Sequence, residues 1–240
     1  MDLSVVIPAK DEKANIKPLV QEIYLALSDS GLFEIVYVDD GSSDGTYDEI
    51  VRLKQSDFPA LRVIKHAQSV GQSTAVVTGV KESKGALIIT LDADGQNDPT
   101  DIPHLLEKAK LMPLGSDFCI AGYRKNRKDT AWKRFQSRFA NNVRAKILND
   151  GTPDTGCGLK IFPRSTFLKL PYFDHMHRYI PALIIRLGGK IIIAEVNHRD
   201  RQAGVSKYTM WNRLWVGIVD MFAVRWLQKR SKIANIVDQA

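Results

Sequence analysis

Five short apolar runs, separated by stretches of helical periodicity, restrict what this chain can fold into more than any other feature. Residues 3–7 (stopped by Pro8), 33–38, 61–64, 87–91 and 117–122 have strand length and are rich in β-branched residues. Between them, apolar residues recur one helical turn apart at Ile16, Leu19, Val20, Ile23, Tyr24 and Leu27. They do so again at Tyr47, Ile50, Val51 and Leu53. Residues 71–80 and 99–109 also read as helices, the second with Asn97 or Asp98 as its cap. Strand and helix in alternation predict βα units, hence an α/β fold with a mostly parallel sheet flanked by helices. At 240 residues and 44% hydrophobic content, one domain is the default.

Two of the strands end in acids. The run 87–91 leads into Asp92-Ala93-Asp94-Gly95-Gln96, and the run 33–38 into Asp39-Asp40-Gly41-Ser42. While a chain stays extended, alternate side chains share a face, so Asp92 and Asp94 can converge. Two carboxylates and the Gln96 amide form a hard oxygen set suited to Mg²⁺ or Mn²⁺; the competing reading is an ordinary polar loop. Open α/β sheets bind ligands at the carboxyl ends of their strands, which favours the functional reading. No G-x-G-x-x-G follows the first strand and no G-x-x-x-x-G-K-[ST] occurs. Carboxylates cannot cradle phosphate as backbone N–H groups do, so the pattern favours a nucleotide held through a metal.

Charge divides the chain. Residues 1–121 hold 11 Lys+Arg against 19 Asp+Glu, and residues 122–240 hold 23 against 8. An acidic half with a metal motif, followed by a basic half, suggests a polyanionic partner. The negative first half weighs against a general nucleic-acid binder. Cys119 and Cys157 sit at no metal or redox spacing, which fits a reducing compartment. There is neither a signal-peptide pattern nor an uninterrupted stretch of ~18 apolar residues, so a cytoplasmic protein without a membrane span is expected.

Val5-Val6-Ile7-Pro8-Ala9-Lys10-Asp11-Glu12, Val38-Asp39-Asp40-Gly41-Ser42-Ser43-Asp44-Gly45-Thr46 and Leu91-Asp92-Ala93-Asp94-Gly95-Gln96 occur in that order. Together they resemble the signature of family 2 glycosyltransferases with the GT-A fold. Within that family the likeness is to the dolichyl-phosphate or polyprenyl-phosphate mannose or glucose synthases, and it extends from residue 3 to about residue 210. The resemblance implies that Pro8, Ala9 and Glu12 border a nucleoside pocket and that Asp40 binds the base or ribose. It also implies that Asp92 contacts the nucleotide, while Asp94 and Gln96 hold metal and diphosphate, with Asp92 a further metal ligand. Asp11 replaces the family's usual Asn, and Gly95 stands where Leu is commoner.

In the basic half, nine Lys or Arg lie between Arg124 and Lys146 against the single acid Asp129. Trp132, Phe135, Phe139 and Val143 at helical spacing allow a solvated amphipathic helix. The resemblance gives Arg124 and Arg138 a phosphate-gripping role instead, for which a planar bidentate donor is suited. Residues 154–162 resemble the family's D-x-x-x-G-[FL]-[KR] loop, with Asp154 a candidate general base. His175 and His177 read as a polar turn rather than a metal pair. The run from Arg201 through Ser206 and Lys207 resembles the R-x-x-G-x-S-K loop, which places those three beside an acceptor phosphate.

A domain of residues 1–207 is thus expected, followed by an amphipathic segment, 208–240. In that segment Trp211, Trp215 and Trp226 and flanking bases suit a helix lying in a membrane interface, or one packed on the sheet, a second subunit or a membrane-protein partner. The expected reaction moves a hexose from a nucleotide diphosphate-sugar of the GDP-mannose or UDP-glucose type to a polyprenyl phosphate, with inversion. The alternatives are a hydroxyl acceptor on a saccharide or glycolipid, with Asp154 as base, and a non-catalytic nucleotide-sugar-binding domain.

Overall fold

The computed structural model describes residues 2–124, 143–200 and 210–232, with backbone alone for 210–215. Its centre is a seven-stranded sheet ordered β3-β2-β1-β4-β6-β5-β7. The strands are β1 (Leu3–Ala9), β2 (Phe33–Asp39), β3 (Leu61–Lys65), β4 (Leu87–Thr90), β5 (Phe118–Arg124), β6 (Lys160–Pro163) and β7 (Lys190–Val196). Only β6 runs against its neighbours, pairing antiparallel with β4 and β5. The expected α/β architecture, a mostly parallel sheet flanked by helices, is what the chain adopts.

Alternation along the strands sorts the core into two layers. Val5 and Ile7 of β1, Ile89 beside Leu91 at the end of β4, and Ile120 of β5 pack in one buried cluster with α1 (Lys13–Ala26), α2 (Thr46–Ser56) and α4 (Ile102–Lys110). Val6, Ile88, Cys119 and Ala121 face the other way. They meet α3 (Gln72–Glu82), the helix Ile180–Arg186 and, through Met221 and Val224, the helix Met210–Arg230. Buried on both faces, the strands read as continuous apolar runs rather than alternating ones.

Three local expectations change. Pro8 does not stop β1; it pairs in register with Val38. The Val6 carbonyl accepts from Leu91 N, so the missing N–H of Pro8, two residues on, falls on the β4 side, beyond the paired part of that strand. The helix expected over 99–109 is a 3₁₀ turn, Pro99–Asp101, followed by α4. Of the two cap candidates, Asp98 accepts from Thr100 N at 3.0 Å, while Asn97 turns toward the backbone of Asp92. The end of the 154–162 loop is itself a central strand, β6, inserted between β4 and β5.

Candidate active site

Strands β2 and β3 lie to one side of β1, and β4 to the other, so a crevice opens between the carboxyl ends of β1 and β4. Pro8 lines one side of it and Asp92 the other, while Ala9 is buried in the core. The turns after β1 and β2 are laced together. Asp11 Oδ1 accepts from Ser43 N at 2.8 Å, Asp44 Oδ2 from Lys13 N at 3.1 Å, and Thr46 Oγ1 from Glu12 N at 2.9 Å. Asp11 has φ 50°, a left-handed geometry that Asn and Asp tolerate best, so an Asp in the family's Asn position keeps both the conformation and the acceptor.

Asp40 is satisfied from within the protein. Its carboxylate lies 2.8 Å from His66 Nδ1 and accepts from Ser69 Oγ at 2.8 Å, Val70 N at 3.0 Å and Gly71 N at 2.9 Å. Burial alone would raise its pKa, but these bonds outweigh it and hold the group below the usual carboxylate range. The carboxylate expected to face the nucleoside thus binds the 66–71 loop, which leads into α3.

The first residue of α3 then reaches the acidic motif: Gln72 Nε2 donates to Asp92 Oδ1 at 2.9 Å. Asp92 is largely buried. Burial first, and then the charge of Asp94, push its pKa up to about 6, against the pull of Lys160, Arg124 and the Gln72 bond. The charge of Asp94 reaches this carboxyl, but residues 93–94 form a turn rather than the extended chain from which convergence was expected. Gly158 packs directly on this carboxylate; a Cβ there would lie 2.3 Å from Asp92 Oδ2. Among the described residues no group of three or more His, Cys, Asp or Glu could hold a metal. Asp92 and Asp94, with Gln96 in the same turn, could hold Mg²⁺ or Mn²⁺ only if a ligand such as a diphosphate supplied the remaining oxygens.

The cationic side of the site comes from β5 and β6. Arg124 forms a bidentate pair with Asp154, Nε to Oδ2 at 2.6 Å and Nη2 to Oδ1 at 2.9 Å, both side chains being mostly buried. Asp154, a candidate base in the sequence, is thus paired in the structure with Arg124 through both carboxylate oxygens. Lys160, opposite Thr90 in the sheet register and 4% exposed, donates to the Cys157 carbonyl. With Pro8, Gln72, Asp92, Gly158 and His177 it lines a recess of about 20 Å³.

Lys160, Gln72 and His177 were not singled out from the sequence. Only the L-[KR] ending of the 154–162 motif pointed at Lys160, His177 was read as part of a polar turn, and nothing marked Gln72. His177 lies 2.7 Å from Ser73 Oγ through Nδ1, whereas His175 turns to Asp174 and Asp220, so His-x-His forms no metal pair. Cys119 and Cys157 are both free and buried. Arg138, Arg201, Ser206 and Lys207 lie outside the described residues.

Residues 4–170 match the sequence profile of glycosyl transferase family 2. A dodecaprenyl-phosphate galacturonate synthase of Rhizobium johnstonii is 33% identical over 233 residues, which is 95% of this chain and 68% of that protein. An undecaprenyl-phosphate 4-deoxy-4-formamido-L-arabinose transferase of Pseudomonas paraeruginosa is 34% identical over 208 residues, 86% of this chain and 60% of that protein. The chain is thus shorter than either relative. Among solved structures, a mannosyltransferase from Pyrobaculum calidifontis in complex with GDP-Man and Mn²⁺ superimposes with a TM-score of 0.69 at 20% identity, covering 97% of this chain and 65% of that one. Glucosyl-3-phosphoglycerate synthase from Mycobacterium tuberculosis, in complex with Mn²⁺, UDP and glucosyl-3-phosphoglycerate, gives 0.67 at 18% identity over 98% and 81%. At such identities the two structures establish a shared fold, and the sequence matches establish the kinship: the chain belongs to glycosyl transferase family 2.

Proposed function

We propose that this chain transfers a glycosyl group from a nucleotide diphosphate-sugar to a polyprenyl phosphate, with inversion at the anomeric carbon. The observation that carries the choice of acceptor is the Arg124–Asp154 pair. A hydroxyl acceptor needs a base to take its proton, and the carboxylate that could serve is committed to a guanidinium. A phosphate monoester, with a second pKa of about 6, is already mostly dianionic near neutral pH and attacks without one. The site's task is then to bring two polyanions together, and cations must do it. Both sequence relatives carry polyprenyl-phosphate acceptors in their names, which supports the same class here.

In this reading Pro8, Ala9 and Glu12 border the nucleoside. Asp40 shapes the wall of that pocket by fixing the 66–71 loop. Asp94 and Gln96, with Asp92 beside them, hold the divalent cation, which when bound would neutralise the departing diphosphate. Arg124 faces the reacting phosphates, and Arg138, Arg201, Ser206 and Lys207 are assigned to the acceptor. The Pyrobaculum structure holds GDP-Man with Mn²⁺ and the Mycobacterium one holds UDP with Mn²⁺, and both support a metal-dependent donor site. Among the described residues no helix is long and apolar enough to cross a membrane. A lipid-borne acceptor would bring the chain to a membrane surface, and the reading assigns it to the cytoplasmic side.

A thermal-shift panel of GDP-mannose, UDP-glucose, UDP-galacturonate and related donors with Mn²⁺ tests the donor site. One donor should raise the melting temperature only with metal, and Asp94→Ala should abolish that shift. Arg201→Ala should spare it while cutting turnover with polyprenyl phosphate. Loss of both together would refute the acceptor role, and turnover on a bare glycan instead of the lipid phosphate would refute the acceptor class.

A further inference from the structure

The turn that carries Asp94 and Gln96 follows β4, with Gly95 at φ 72°, and among the described residues no strand pairs with it. What holds it comes from 100 residues further along the chain. Beyond β7, His198 forms an isolated antiparallel bridge with Asn97, and Arg199 N donates to the Gln96 carbonyl at 3.0 Å. The Arg199 guanidinium then forks. Nη1 lies 2.9 and 2.8 Å from the two carboxylate oxygens of Glu22 on α1, and Nη2 pairs with Asp98 at the end of the turn. Asn197, just before, donates from N and Nδ2 to Asp101 at 2.7 and 3.0 Å.

The bonds run on to the expected ligands. Gln96, gripped through its carbonyl, donates its own N–H to Asp94 Oδ1 at 3.1 Å. Asn97, bridged to His198, accepts from Asp92 N at 3.3 Å through its side chain. The segment after β7 therefore fixes the backbone that carries Gln96 and, through it and Asn97, is bonded to Asp94 and Asp92. An isolated surface ion pair contributes little, but a guanidinium joining carboxylates on two elements, beside a backbone bridge, is a network. Groups that orient metal ligands without touching the metal commonly set its affinity.

We infer that Arg199 is a positioning residue of the donor site, pinning the metal-binding turn to α1 so that Asp94 and Gln96 are preset for a divalent cation. The inference rests on the metal-binding role proposed above for those two residues. The full chain, titrated with Mn²⁺ in the presence of GDP or UDP and followed by electron paramagnetic resonance, reads it directly. Arg199→Ala should weaken Mn²⁺ binding about tenfold. Glu22→Gln, which leaves Arg199 and Asp98 in place, should weaken it less and serves where the alanine variant folds poorly. Arg199→Lys, a point charge unable to span both acids, should rescue melting temperature better than Mn²⁺ affinity. A lower melting temperature with unchanged Mn²⁺ affinity in all three variants would overturn the inference and leave the functional reading intact. Failure of the unaltered chain to bind Mn²⁺ with either nucleotide would overturn both.

Discussion

Asp92 pays for its position. A carboxyl raised to about 6 from 3.8 means that the folded, metal-free chain still binds a proton that the unfolded chain has released. The penalty this group places on folding therefore grows as pH rises from about 3.8 to about 6 and stays constant above that. Asp92→Asn, neutral and nearly isosteric, should stabilise the metal-free chain at pH 7.5 by on the order of 1–2 kcal/mol after solvent screening. The gain should vanish near pH 4, where both side chains are uncharged; melting curves at the two pH values check it, and an equal gain at both would exclude the charge as its cause. The D-x-D pair was legible in the sequence because an apolar run ends where the acids begin. Lys160 was not, since a lysine after Gly158-Leu159 looks like any exposed base until β6 is inserted mid-sheet. Nor was the commitment of Asp154, because its partner Arg124 lies 30 residues away and sequence alone gives no contact at that range.

Elements were legible where periodicity ran long enough. The helices packed on β1–β4 fell within a few residues of their expected ends, and β1 overran Pro8 only because the lost N–H points where no strand pairs. Strand β6 was missed: its four residues offer too little pattern, and its partners are set by topology. The C-terminal helix left several readings open, packing on the sheet, on a second subunit or on a membrane-protein partner, or lying in a membrane interface, and its described side chains suit both packing and an interface. Met221 and Val224 are buried against the body, where Gln228 Nε2 also donates to the carbonyls of Leu148 and Ala182 at 2.9 and 3.2 Å. Val219, Phe222, Ala223 and Trp226 form an exposed stripe on the other side, continued by Lys229 and Arg230. Phe222→Asp with Trp226→Asp should leave the melting temperature nearly unchanged, because neither side chain is in the core. The pair should remove most co-sedimentation with anionic vesicles. Turnover of a short, water-soluble prenyl phosphate should survive. Retained vesicle binding would assign the stripe to another partner.

At the scale of the whole molecule, the two halves of the sequence interleave in the sheet. Strands β1–β4 carry the acidic turns, while β5–β7 follow from the end of the acidic half into the basic one, with β6 returning between β4 and β5. This interleaving brings Lys160 and Arg124 close enough to Asp92 to act on its charge. The charge asymmetry was visible in the sequence; that Lys160 acts on Asp92 was not, because it depends on strand order. Salt should separate the two kinds of electrostatics. The Debye length shrinks from about 14 Å at 50 mM to about 4 Å at 500 mM, which screens exposed charges while sparing groups shielded from solvent. Lys229 and Arg230 are exposed, whereas Asp92 is largely buried. Raising NaCl over that range should cut binding to anionic vesicles several-fold. Affinity for the Mn²⁺–nucleotide pair, set by short-range coordination, should change less than about twofold. Parallel titrations of one preparation check both. Equal loss of the two would mean that the donor is held by exposed charge, and that the acids at the end of β4 are not its site.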